Sequence, residues 1–298
     1  MSVRNNEERL GIDTPDADPP FVPEVMGEAP QPENQTSNTS LNFPMPTHVV
    51  DLPSLGRYYE PEHPLHGKDT TEIRFMTAKD EDILTSKSLL QKGIAMDRLL
   101  QNILMDKSLD VNSLLSCDKA ALVLAARITG FGEDYETKVG CPMCGDIINH
   151  TFDLTNCGNY IGLDSEELQP LGINEVGYGR FTVELPTTGV RVGIKLLTGH
   201  DEKKLEREQE RKRKLKIPES HSTDQLKSII FSVNDEEDYN IVSMFIENMP
   251  SQDSRFLRKI YELINPDIDL KLPFECPSCS SQIEDMEVPL TPEFFWPK

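Results

Sequence analysis

The sequence predicts an α+β protein in which two related strand–helix units pack about a pseudo-twofold axis and are joined through four cysteines at the ends of the two units. Three observations predict it. Short β-prone runs alternate with amphipathic helical stretches from residue 48 onward. Two blocks of text recur in the same order in both halves of the chain. Each second block ends in a Cys-Pro-x-Cys turn.

Residues 1–47 stand apart from that pattern. Eight of the 22 prolines fall before residue 47, among Asn, Asp, Glu and Ser, so the stretch cannot bury enough apolar surface to offset the entropy of ordering. We expect an acidic, Pro-rich arm here, either a disordered tail or an extended segment that orders on a neighbouring subunit.

The first unit is expected over residues 48–160. Asp51-Leu52-Pro53-Ser54-Leu55-Gly56-Arg57-Tyr58-Tyr59 reads as a turn with apolar anchors, and Glu72 to Met76 as a short strand. Thr77 with Asp80 makes a capping-box start for a helix reaching Gly93, and a second helix follows from Ile94 to Met105. A third is expected from Ser116 as N-cap to Gly130. Strands Tyr135–Gly140 and Ile147–Leu154 then flank Cys141-Pro142-Met143-Cys144.

The second unit is expected over residues 161–298. A Gly-rich acidic connection to about Gly179 leads to a hairpin, Phe181–Leu185 and Val190–Leu197, turned by Thr187-Thr188-Gly189. Asp201 to Lys216 reads as a solvated helix whose Arg211-Lys212-Arg213-Lys214 run is a charged face rather than a nucleic-acid patch. Helices near Thr223–Ser232, Glu236–Asn248 and Ser251–Ile264 precede strands at Leu270–Glu275 and Ile283–Leu290, which flank Cys276-Pro277-Ser278-Cys279.

The duplication is explicit when the halves are superposed as text. Ile73 to Leu84 matches Ile194 to Leu205 at Ile, Thr, Asp, Glu and Leu, with basic Arg74 over basic Lys195. Ser116 to Cys144 aligns without a gap on Ser251 to Cys279, both ends differing by 135, and places Asp118 on Asp253 and Leu122 on Leu257.

The bulk numbers narrow the function. With 30 Lys and Arg against 51 Asp and Glu the net charge is -21, which repels a phosphate backbone. No window approaches the roughly 20 apolar residues of a membrane span, and Met1 to Leu10 is polar, so we expect a chain made in a cytosol.

In a reducing compartment two Cys-x-x-Cys pairs point to metal. Cys141, Cys144, Cys276 and Cys279 form a complete tetrathiolate set for one structural zinc, a zinc ribbon split in two. The 131 residues between Cys144 and Cys276 (276 - 144 - 1) are what duplication would produce. Redox dithiols, or sites shared between subunits, are the competing arrangements. A four-thiolate site has no open position for a substrate, and His48, His63, His66, His150, His200 and His221 form no His-Glu-x-x-His pair. No catalytic residues and no enzymatic activity are expected.

Taken together, Leu52-Pro-Ser-x-Gly-x-x-Tyr59, Met76-Thr-Ala-Lys-Asp-Glu-Asp-Ile-Leu84, the paired Cys-Pro-x-Cys turns and the terminal Phe294-Phe295-Trp296-Pro297 resemble the baseplate hub proteins of T4-type contractile-tailed bacteriophages. The resemblance covers residues 48–298. It implies a structural or assembly role in the baseplate, inside the virion tail and assembled in host cytoplasm, through contacts with other baseplate or tail proteins. The family includes both retained hub subunits and factors that promote hub assembly. The alternative is a zinc-ribbon module binding nucleic acid or a polymerase, which would need a basic or aromatic face near the turns. Asp146, Glu275, Glu284 and Asp285 there are acidic. We expect the terminal aromatics to be a core plug rather than a docking patch.

Overall fold

The computed structural model describes residues 45–217, 220–290 and 294–295. The expected arm lies outside these residues except for its last three, and Thr47 already begins a strand.

Thr47–Asp51 (β1) pairs antiparallel with Thr70–Arg74 (β2) around the Leu52–Tyr59 turn. Ala78–Thr85 (α1), Lys87–Gln91 (α2) and Ala95–Ile103 (α3) follow. The single helix expected up to Gly93 is instead broken at Ser86, whose backbone is extended (φ -66°, ψ 107°). Ser116–Phe131 (α4) starts one residue earlier than expected, with Leu115 as N-cap, and the Ser116 amide, free of any partner within the helix at this first position, donates to the Leu197 carbonyl at 2.9 Å. It ends at Gly132 rather than Gly130.

Asp134–Gly140 (β3) and Ile147–Asp153 (β4) form the first cysteine-bearing hairpin. The stretch expected as a bare connection carries Gly158–Tyr160 (β5), Ser165–Leu168 (α5) and Ile173–Gly177 (β6). Arg180–Glu184 (β7) and Arg191–Lys195 (β8) are the expected hairpin, followed by Gly199–Lys214 (α6) and His221–Ile229 (α7).

The text after Ile229, expected as helix, is instead the strand Ile230–Val233 (β9), because pairing with β8 outweighs the local preference of a short apolar run. Strands β6, β7, β8 and β9 make one four-stranded antiparallel sheet in that order. Tyr239–Asn248 (α8) and Ser251–Ile264 (α9) close the body. Asp267–Asp269 (β10) then pairs with β5, and Lys271–Glu275 (β11) with Gln282–Glu287 (β12) forms the second cysteine-bearing hairpin. Pro273, which has no amide to donate, sits where the β11–β12 register shifts.

The same side chains do the same work in both halves. Thr77 donates its amide and hydroxyl to Asp80, each at 2.8 Å, while Arg74 pairs with that carboxylate at 2.6 Å. Thr198 does the same with Asp201 at 3.2 and 3.0 Å, and Lys195 pairs with it at 2.5 Å.

Asp118, buried, accepts the Ser54 amide (3.0 Å), the Ser54 hydroxyl (2.6 Å) and the Tyr59 hydroxyl (2.7 Å). Asp253, equally buried, accepts the amides of Thr187 (2.9 Å) and Thr188 (3.2 Å) and the Thr188 hydroxyl (2.9 Å). Asp118 of α4 thus clamps the turn that follows β1, and Asp253 of α9 the turn between β7 and β8. The contacts reveal a third matching block, Leu52-Pro-Ser-x-Gly56 against Leu185-Pro-Thr-x-Gly189.

One continuous apolar core runs through both halves, from Val50 and Leu52 to Phe294 and Phe295, and Pro44–Lys298 holds together as one unit. Leu115 bridges to Thr198, and Gly199 donates to the Leu114 carbonyl at 2.9 Å. Asp97 of α3 meets Lys203 of α6 at 2.7 Å, and Lys119 of α4 meets Glu202 at 3.0 Å. Phe294 fills space against Tyr135 (centroids 5.1 Å apart) and is buried with Phe295, so both are core. Trp296 lies outside the described residues.

Candidate metal centre

Both cysteine pairs sit in the six-residue turn of a β-hairpin. Gly140 faces Ile147 across the first turn and Glu275 faces Gln282 across the second. Each turn is closed by the same two backbone bonds. Cys141 donates to the Asp146 carbonyl (2.9 Å) and Gly145 back to the Cys141 carbonyl (2.8 Å); Cys276 donates to Ser281 (3.0 Å) and Ser280 back to Cys276 (2.8 Å). The fifth residue must be left-handed in both, Gly145 at φ 78° and Ser280 at φ 55°. Glycine takes this conformation freely, whereas serine pays a steric penalty that the turn must hold.

The hairpins meet through side chains that alternate along their strands. Tyr135, Thr137 and Val139 of β3 point inward, as do Leu272 and Phe274 of β11. His150 of β4 lies edge-on between Phe152 (4.6 Å) and Phe274 (5.0 Å), and burial lowers its pKa, so a neutral ring joins the hairpins. Tyr135 adds a hydrogen bond to the Pro289 carbonyl at 2.9 Å.

That packing brings all four cysteines together. Their sulfurs lie within 4.8 Å of one another. Across the hairpins, Cys141 lies 3.9 Å from Cys279 and Cys144 3.7 Å from Cys276. Cys141 and Cys276 are buried and Cys144 and Cys279 exposed, so the cluster sits at the surface with one ligand of each turn on the inside. Four sulfurs at 2.3 Å from one tetrahedral centre would stand about 3.8 Å apart. The two cross-hairpin separations match that figure, and the donor set is one that could hold a metal ion.

The electrostatics agree. The Cys144 amide, with that of Met143 and the Ser281 hydroxyl, outweighs burial and brings the Cys141 thiol down to about 6. The Ser281 hydroxyl and amide lower Cys279 as well. The Asp146 amide favours the Cys144 thiolate too, yet burial and the three neighbouring thiols push it up to about 12. Four sulfurs this close cannot all ionise unless a cation offsets their charge.

The remaining candidates are dispersed. His63 is bonded to Ser113 (2.9 Å), His66 to the Tyr59 carbonyl (2.7 Å), and His200 lies 3.7 Å from Asp110. Among the described residues the four cysteines are the one group of three or more His, Cys, Asp or Glu placed to share an ion. Cys117 is buried and its thiol is pushed far up by desolvation and by Asp118, so it packs as an apolar side chain. Asp146, Glu275, Glu284 and Asp285 are all exposed around the cluster, an acidic surface that opposes a nucleic-acid reading.

The scaffold is mixed α+β, with two similar carboxylate clamps, one shared core and a four-thiol cluster at its surface that could hold a metal ion. The chain belongs to the family of T4 bacteriophage base plate proteins, whose model matches residues 45–296. No curated protein and no solved structure shows a significant match. Membership makes this a phage baseplate protein with a structural role, located in the virion tail baseplate and in contact with other phage structural proteins. No described helix is long and apolar enough to cross a membrane.

Proposed function

We propose that the chain is a structural or assembly component of the hub region of a contractile-tail baseplate, acting by protein contacts and without enzymatic activity. One zinc ion, bound by Cys141, Cys144, Cys276 and Cys279, clamps its two units. These units, residues 48–160 and 161–298, are duplicates related by a pseudo-twofold axis. The observation that carries the reading is the convergence of four sulfurs, from turns 131 residues apart in sequence, to within 4.8 Å in a member of a baseplate family.

Zinc is the metal that four thiolates in a tetrahedron suit best in a protein with no redox task, and such a site leaves no open position for catalysis. Because the ligands come from the far ends of two units, metal binding closes a long loop and contributes directly to folding. The test is cryo-EM of purified tails with mass spectrometry of the same particles. The reading expects the chain in the tail or on a tail-assembly intermediate; a chain that co-purifies with neither, or that shifts DNA or RNA in a salt-dependent way, overturns it.

A further inference from the structure

The two turns are alike in backbone but not in the side chain that follows them. Position five after the first cysteine is Asp146 in one turn and Ser281 in the other. In both, the carbonyl of that residue closes the turn by accepting the first cysteine's amide. The turn therefore does not need the side chain.

In the second turn that side chain is turned onto the sulfurs. The Ser281 oxygen lies 3.1 Å from the Cys279 sulfur and 3.6 Å from the Cys141 sulfur. A single hydroxyl thus reaches one ligand from each half of the duplicated chain. Asp146 cannot act in this way, since an ionised carboxylate only accepts hydrogen bonds.

We propose that Ser281 is a positioning residue for the metal centre: its hydroxyl donates to Cys279, lies within reach of Cys141, and ties the two turns to a common ion. The inference rests on the metal reading above. A divalent ion with four thiolates carries a net charge of about -2, and hydrogen bonds to the sulfurs spread that charge and fix the ligand directions. The Ser281 hydroxyl supplies such a contact to a sulfur of each turn, Cys279 and Cys141. Cys144 is exposed, and its sulfur lies 3.7 Å from that of Cys276, whereas the sulfurs that the Ser281 hydroxyl touches are those of Cys279 and Cys141. The site is therefore one-sided, and metal exchange begins at Cys144, the ligand that solvent reaches and the hydroxyl does not.

The test uses the full chain with zinc or with cobalt(II) as a spectroscopic stand-in. Zinc transfer to a chromogenic chelator is timed for the wild type and for Ser281→Ala, Ser281→Thr and Asp146→Ser, with circular dichroism confirming that each loaded variant is folded. Ser281→Ala is expected to weaken zinc binding about 10- to 100-fold, the range for a lost outer-shell partner, and to shift the sulfur-to-cobalt charge-transfer bands. Ser281→Thr keeps the hydroxyl and stays near wild type, and Asp146→Ser slows release.

Unchanged release and an unchanged cobalt spectrum in Ser281→Ala, with zinc still at one per chain, overturn this inference alone. A wild-type chain that takes up neither zinc nor cobalt overturns the metal reading and this inference together.

Discussion

Asp118→Ala should destabilise the protein more than any surface change, and the structure sets the size of the effect. The carboxylate is fully buried and accepts the Ser54 amide, the Ser54 hydroxyl and the Tyr59 hydroxyl at 2.6 to 3.0 Å, with the Cys117 thiol a longer fourth donor at 3.7 Å. The alanine variant leaves an amide that cannot turn away and two hydroxyls that can, each worth about 1–3 kcal/mol if left unsatisfied. Part of that is returned because a desolvated carboxylate is removed; burial is the main reason its pKa is raised, ahead of the opposing bonds from Ser54 and Tyr59. A net loss of about 3–5 kcal/mol follows, the range for breaking a buried polar network. With a urea slope of about 3 kcal/mol/M the midpoint falls by roughly 1 M or more. Urea titration followed by both far-UV circular dichroism and tyrosine fluorescence checks it, coincident curves establishing two-state behaviour. Asp253→Ala, at the matching place in the second half, should behave alike. A loss below about 1 kcal/mol at Asp118 would refute the claim that it clamps the Leu52–Tyr59 turn.

Gly56→Ala should be far worse than Gly189→Ala, although both glycines follow a Leu-Pro-x-x turn at φ near 65°, because a Cβ at Gly56 would stand 2.4 Å from the Lys68 carbonyl oxygen while one at Gly189 meets nothing closer than 3.8 Å. We expect about 1–2 kcal/mol for Gly189→Ala from the left-handed backbone alone and more for Gly56→Ala; equal melting temperatures would contradict it. Asp80 is buried, yet Arg74, Thr77 and Asn102 hold its carboxyl well below the usual range. Its contribution is therefore present above the unfolded Asp value of about 3.9 and lost as pH falls through the folded value. The gap in urea midpoint between wild type and Asp80→Asn should be open at pH 7 and narrow below about pH 4; a gap that widens on acidification refutes the assignment. Chelation at neutral pH should lower the melting temperature of the whole body, since the ligands come from two hairpins far apart in sequence, whereas an unchanged transition would show that the cluster carries no structural metal.

Much of this architecture is written locally. Thr77 with Asp80, Ser251 to Ile264, and the strands on either side of each cysteine pair are specified by caps and alternation within a few residues, and the cysteines announce themselves by spacing. Elements whose identity depends on a distant partner are less legible. Gly158–Tyr160 is a strand because Asp267–Asp269 lies beside it, and Ile173–Gly177 because it edges a sheet begun by β7. Ile230–Val233 carries an apolar run that either a helix or a strand could bury. The clamp formed by Asp118 could have been found from Leu-Pro-Ser-x-Gly and Leu-Pro-Thr-x-Gly, but nothing in the text says that a helix carboxylate 64 residues away from Ser54 closes that turn. Ser281 was hidden for the same reason: its backbone role is that of any turn residue, and only the approach of the other hairpin brings Cys141 within its reach.

Native mass spectrometry of the intact chain, paired with zinc X-ray absorption, counts the metal ions per copy and identifies the atoms that bind them. We expect one zinc in a single copy of the chain, surrounded by four sulfurs at about 2.3 Å. A metal-free monomer with four freely titrating thiols at these positions, or zinc that appears only when two copies associate, would contradict it.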